Sequence, residues 1–145
     1  MSYCTDEDLL KYRPNILQLG VTDWEVQREE AFAMINRVIR ARWYMTAAVD
    51  KGYDPTVTLF NPDLVQEGFL TRLEAFKTLE LAYMILMKDS PEADGFERNM
   101  ETFRDRYNEE LELILGTGIT YDWSGDEEFS SDEVYVRVPR RLYRA

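Results

Sequence analysis

Three observations predict a mainly α-helical protein, a small helical bundle carrying a C-terminal extended arm. The stretch Phe69 to Lys88 is the most apolar in the chain and repeats its apolar residues at helical spacing. Several segments open on capping residues and close on glycine, the punctuation of helices. Val134-Tyr135-Val136-Arg137-Val138 then alternates with the period of a strand and stops at Pro139. The expected organisation is a helical body over residues 1–118, an acidic turn or linker over 119–133, and a basic arm over 134–145.

The first element is a short helix. Thr5 can cap it, and Asp6, Glu7 and Asp8 suit the positive end of the helix dipole. Leu9, Leu10 and Tyr12 supply an apolar side, and Pro14 ends the helix near Tyr12. Such a helix either covers one end of the core or contacts a neighbouring subunit.

Thr22 and Glu25 form a capping-box pattern, and a long helix is expected from Asp23 to about Val49, with Gly52 at its stop. Trp24, Ala31, Phe32, Ile35, Val38, Ile39 and Thr46 share one side. Arg28 and Arg42 fall in the same stripe. Their stems can pack while their heads snorkel to water, or one of them can pair with Glu80 on the core side of the central helix. Thr56 to Phe60 alternates too briefly for a confident strand. Asn61 and Pro62 then start a short helix, Pro62 to Glu67, before Gly68.

The central helix follows. Phe69, Leu73, Phe76, Leu79 and Tyr83 make its first half amphipathic, whereas Leu81 to Met87 is apolar all round and reads as buried on every side. Arg72, Glu74, Lys77 and Glu80 exclude a membrane span. Ser90 and Pro91 begin the last helix, expected to run to Leu115 with Gly116 as its stop. Its seam is Phe96, Met100, Phe103, Tyr107, Leu111 and Ile114, either an intramolecular core stripe or a seam between subunits. The expected core is Phe32, Ile35, Ile39, Leu73, Phe76, Tyr83, Phe103, Tyr107 and Leu111.

Composition narrows the chemistry. A chain of 145 residues suits one domain and can bury roughly 70% of its unfolded surface. Cys4 is the only cysteine, so no internal disulfide forms, and synthesis in a reducing cytoplasm fits. The opening residues MSYCTDED are polar and acidic, unlike a secretory signal. There is no histidine, which excludes serine–histidine and cysteine–histidine catalysis. The net charge of −11 argues against nonspecific binding to nucleic acid. It divides into +4 for residues 134–145, from Arg137, Arg140, Arg141 and Arg144, and −15 for the rest. Asp122, Ser124, Asp126 and Glu128 alternate oxygen ligands as a calcium loop does, but Gly125 is misplaced and no glutamate follows at the required distance. No metal, cofactor or catalytic residue is expected, and the chain does not read as an enzyme.

The arm carries the most information. Alternating valine and aromatic residues have little use in a disordered tail. They suit an arm that adds a strand to a partner's sheet edge, with arginines setting its orientation against an acidic surface. A short N-terminal helix opened by Thr5-Asp6-Glu7-Asp8-Leu9-Leu10, long helices, a turn with Tyr121-Asp122-Trp123 and an arginine-bearing end together resemble the head–tail adaptor (connector) proteins of tailed bacteriophages. The resemblance implies a structural virion protein, synthesised in the host cytoplasm and located in the neck. Such proteins form a ring, usually of twelve copies, between the portal and the next neck or tail protein, with no membrane contact. Carried over, Val134, Tyr135, Val136, Arg137, Val138, Arg140, Arg141, Leu142 and Tyr143 would dock on the portal protein. A ring with a negative lumen would let genomic DNA slide through without specific binding. The resemblance thus predicts that removing the residues after Glu133 leaves the body folded and abolishes portal binding. The alternative is an acidic helical module that mimics DNA charge and blocks a DNA-binding partner, with the basic tail dispensable.

Overall fold

The computed structural model describes residues 1–90 and 94–137, and within them the chain is mainly helical. The helices are α1 (Asp6–Leu10), α2 (Glu25–Ile39), α3 (Met45–Asp50), α4 (Thr71–Asp89) and α5 (Asp94–Thr117). Single 3-10 turns lie at Ile16–Gln18 and Pro62–Leu64. Two isolated antiparallel bridges, Val65 with Tyr121 and Ile119 with Val136, take the place of a sheet. The expected start of the last helix at Pro91 lies outside the described residues.

α1 is capped as its sequence requires. The Thr5 backbone N–H donates to the Asp8 carboxylate at 2.8 Å, and the Thr5 hydroxyl donates to it at 3.1 Å. Leu9 is fully buried, and the neighbouring Tyr12 packs its ring against Phe76 at 4.9 Å. α1 therefore covers one end of the core through its contact with α4.

The capping box expected at Thr22 does not form. Trp24 occupies the N-cap of α2, its indole buried and donating to the Ile16 carbonyl at 3.1 Å, while Asp23 accepts the Glu25 N–H at 3.1 Å. The long helix expected to Val49 is also not uniform. Between α2 and α3 it widens into a π turn at Arg40–Tyr44, with the Met45 N–H reaching back to the Arg40 carbonyl. The wider turn advances the helix phase, so the adjacent Trp43 and Tyr44 are both fully buried. Arg42 and Thr46 are correspondingly displaced from the buried stripe.

Antiparallel packing of α4 on α5 forms the main core. Tyr83 lies against Phe96 and Phe103 at 6.0 and 6.1 Å, and Phe76 against Phe103 at 6.1 Å. The seam from Met100 through Phe103, Tyr107 and Leu111 to Ile114 is buried within the chain. α5 runs past Gly116 to Thr117, and its stop is Gly118. Of the expected core residues only Phe32 is half-exposed, its ring 4.8 Å from that of Tyr3 at a surface cleft.

The two halves of α4 exchange their expected roles. Leu73 to Phe76 and Thr78 to Glu80 are buried, including both glutamates, because α1, α2, α5 and the N-terminal residues surround this half. In the second half only Ala82, Tyr83 and Leu86 are buried, and Met84 is 40% exposed.

The buried charge of Glu80 is met from α4 itself and from α5. Glu80 accepts from Lys77 at 3.0 Å and Arg104 at 3.1 Å. Arg28 pairs with Asp6 at 3.1 Å, and Arg42 with Glu112 at 2.9 Å. Neither arginine of the α2 stripe reaches Glu80, because its place is taken from α4 itself and from α5.

Candidate docking site

The candidate site is the root of the C-terminal arm, and it is built from the end of α5 outward. Gly118 turns the chain with a φ of 106°, a left-handed conformation that glycine adopts without a side-chain clash. Its missing side chain has a second use. A Cβ on Gly118 would stand 2.5 Å from the carbonyl carbon and oxygen of Val136. The chain ends of the 119–136 segment can meet only over this bare backbone.

They meet through a pair of hydrogen bonds. The Ile119 N–H donates to Val136 and the Val136 N–H donates to Ile119, each at 3.1 Å. Inside this clasp the Tyr121 N–H donates to the Glu133 carbonyl at 3.1 Å. On the opposite edge, Gln66 donates to Thr120 at 3.1 Å and Asp122 to Leu64 at 2.8 Å. Ile119, Thr120, Tyr121 and Asp122 are consequently buried, so the packed interior continues past residue 118 and takes in the first part of the expected linker.

An aromatic cluster supports the clasp from below. Tyr121 and Trp123 lie 4.6 Å apart, Trp43 sits 5.7 Å from Tyr121, and Tyr44 stacks on Trp123 at 5.7 Å. The Trp43 indole N–H donates to the Val136 carbonyl at 2.8 Å. The π turn thus delivers Trp43 to the arm root. Burial pushes the Tyr121 hydroxyl up to about 12, while the Asn61 N–H donating to that oxygen at 3.0 Å works against the rise.

The acidic loop closes on itself. Burial acts to raise the pKa of Asp122, but donors outweigh it: the N–H groups of Glu127 at 2.9 Å and Gly125 at 2.8 Å, and the Ser124 hydroxyl at 3.1 Å, hold this carboxyl below the usual range. Glu133 likewise accepts from the Trp123 N–H at 3.0 Å and the Ser130 hydroxyl at 3.1 Å. The alternation of Asp122, Ser124, Asp126 and Glu128 therefore builds a turn in which the first oxygen ligand is already engaged by N–H and O–H donors. No group of three metal-ligating side chains is gathered among the described residues.

The structure places four of the nine expected docking residues. Val134 is 39% exposed and Tyr135 is 56% exposed. Both lie in a turn, and Tyr135 has a φ of 52°, so among the described residues 134–137 the expected strand is reduced to the single bridge at Val136. A left-handed residue turns the backbone out of the extended path a strand needs. Val136 is half-buried against Trp43 and Ile119, and Arg137 is exposed. Val138, Arg140, Arg141, Leu142 and Tyr143 lie outside the described residues. Periodicity missed Trp43, Gly118 and Ile119. The glycine directly before the aromatic turn was the available signal for the second of these.

Clefts open elsewhere. One of about 370 Å³ lies between residues 1–5, Phe32 and the 62–68 segment. A second, of about 320 Å³, is lined by Asn36, Arg37, Arg40, Leu59, Phe60 and Pro62. No helix among the described residues is long and apolar enough to cross a membrane. The fold and site together define a helical protein with a clasped C-terminal root. No protein-family model, curated protein or solved structure matches this chain.

Proposed function

We propose that this chain is a structural adaptor of a phage neck, a ring-forming protein that docks on the portal through its basic C-terminal arm and receives the next neck or tail protein on its helical body. The observation that carries this reading is the pinned root: Val136 is held by Trp43 and Ile119, and Arg140, Arg141 and Arg144 follow it in the sequence. A fixed launch point lowers the ordering cost of engaging a partner. The arginines would set orientation on an acidic surface, while the acidic balance of the remaining chain would keep it from gripping DNA in transit. The reading places the protein in the virion, at the neck.

The test is co-sedimentation with the portal protein encoded in the same genome. A chain ending at Glu133 is unsuitable, because it strips Val136 from Trp43 and Ile119. The informative chain ends at Arg137 and keeps the clasp. Binding by the full chain and not by the truncated one is the expected result. Equal binding by both moves the interface to the helical body, and absence of binding by the full chain overturns the adaptor reading. In that case a salt-sensitive basic partner held by the helical faces becomes the competing explanation.

A further inference from the structure

The second cleft holds a charge pattern at odds with the rest of the molecule. Arg37 and Arg40 stand three residues apart on α2 and the turn that follows it, both exposed, and neither forms an ion pair among the described residues. Beside them are Leu59, 56% exposed, half-buried Phe60 and Pro62. In a chain of net charge −11, two guanidinium groups unpaired among the described residues, over an apolar floor, suit an acidic segment that carries a hydrophobic side chain.

This chain contains such a segment. Asp126, Glu127 and Glu128 are exposed, and none of their carboxylates forms an ion pair among the described residues. Among the described residues Asp126 accepts only the Glu128 N–H, at 3.0 Å. Phe129 follows, half-buried and outside the main core cluster. The N–H groups that Asp122 draws in fix the loop's shape, so little ordering remains to be done on docking. From this complementarity we infer that copies of the chain associate head to tail, with the Asp126–Phe129 loop of one copy seated in the Arg37–Arg40 cleft of the next. The two patches differ, so the contact is heterologous and closes into a ring when its rotation permits. The inference rests on the ring-forming reading above and assigns the surfaces that would join its copies.

Sedimentation velocity on the full chain tests it, with two paired charge reversals. Arg37→Glu with Arg40→Glu makes the cleft repel the loop. Asp126→Lys with Glu128→Lys makes the loop repel the cleft. The parent should self-associate, and each double variant alone should lose association by roughly tenfold or more. An equimolar mixture of the two variants should recover it, since every cleft then meets a loop of opposite sign. Added salt should weaken association of the parent. All four positions are exposed, and unchanged thermal unfolding of each variant confirms that it is folded. A parent that stays monomeric at the highest soluble concentration, variants that associate like the parent, or a mixture that fails to recover each overturns the inference. Portal co-sedimentation of the same variants separates the two readings: intact portal binding without self-association sinks the docking contact alone, and self-association without portal binding sinks the adaptor role alone.

Discussion

The Trp43 indole donates to the Val136 carbonyl at 2.8 Å, joining two residues 93 positions apart. One comes from a π turn in the middle of a helix and the other from the base of a basic arm. The bond ties the arm's root to the aromatic cluster, and that cluster to the bridge at Ile119.

Replacing Trp43 by Phe should release the root. The substitution removes the donor and leaves space beside Tyr121 and Trp123, an expected cost of about 2 kcal/mol in denaturant unfolding. The Ile119 N–H still serves the Val136 carbonyl, so the helical body should stay folded. Limited proteolysis should cut the 124–137 segment faster than in the parent. Unchanged cleavage would show that the bond does not hold the root.

Gly118→Ala tests the clasp directly. The added Cβ meets Val136 at 2.5 Å, and the φ of 106° is strained for any other residue. A loss of roughly 2–3 kcal/mol is expected. Amide exchange at Ile119 and Val136 should rise more than exchange along α4. Gly116→Ala, two residues earlier and with no atom within 4 Å of the added carbon, should be neutral or slightly stabilising.

Glu74 is fully buried, with one carboxylate oxygen accepting from the Ser2 hydroxyl at 2.6 Å and from the Cys4 N–H, and the other without a partner among the described residues. Glu74→Leu should cost about 2 kcal/mol, because the buried Cys4 N–H loses its acceptor. Glu74→Gln keeps an acceptor and should cost about 1 kcal/mol or less. Equal losses for the two variants would mean that packing, not the hydrogen bond, sets the cost.

The carboxyl of Asp122 titrates below its usual range, so the charged form is favoured in the folded state. The stability this adds is fully present above the unfolded-state value of about 4 and is lost as pH falls through the lower folded-state value. Asp122→Asn should therefore destabilise the protein near neutral pH by about 1 kcal/mol and leave a gap to the parent that closes in acid. A gap independent of pH would assign the cost to geometry and not to charge.

Local signals marked much of this fold. Thr5 with Asp8, and Asn61 ahead of Pro62, cap where their side chains reach a nearby backbone N–H. The 3.6-residue rhythm from Phe96 to Ile114 became the α5 seam, because a stripe at that spacing must meet another helix. These features depend on residues a few positions apart. The candidate site was legible only as a basic, strand-prone end.

The π turn, the bridge of Ile119 to Val136 and the exchange of roles along α4 leave no periodic trace. Each depends on what the rest of the chain brings alongside. A uniform helix from Asp23 to Val49 satisfies the local hydrogen bonds. The bulge that buries both Trp43 and Tyr44 gains its advantage only once Tyr121, Trp123 and Val136 arrive from the far end of the sequence. Glu74 is buried against long-range partners: one of its carboxylate oxygens accepts from residues 2 and 4, about seventy positions away. Helix, cap and charge layout follow from near neighbours. The clasp that roots the arm follows from tertiary packing, because its hydrogen bonds join segments that nothing local holds together.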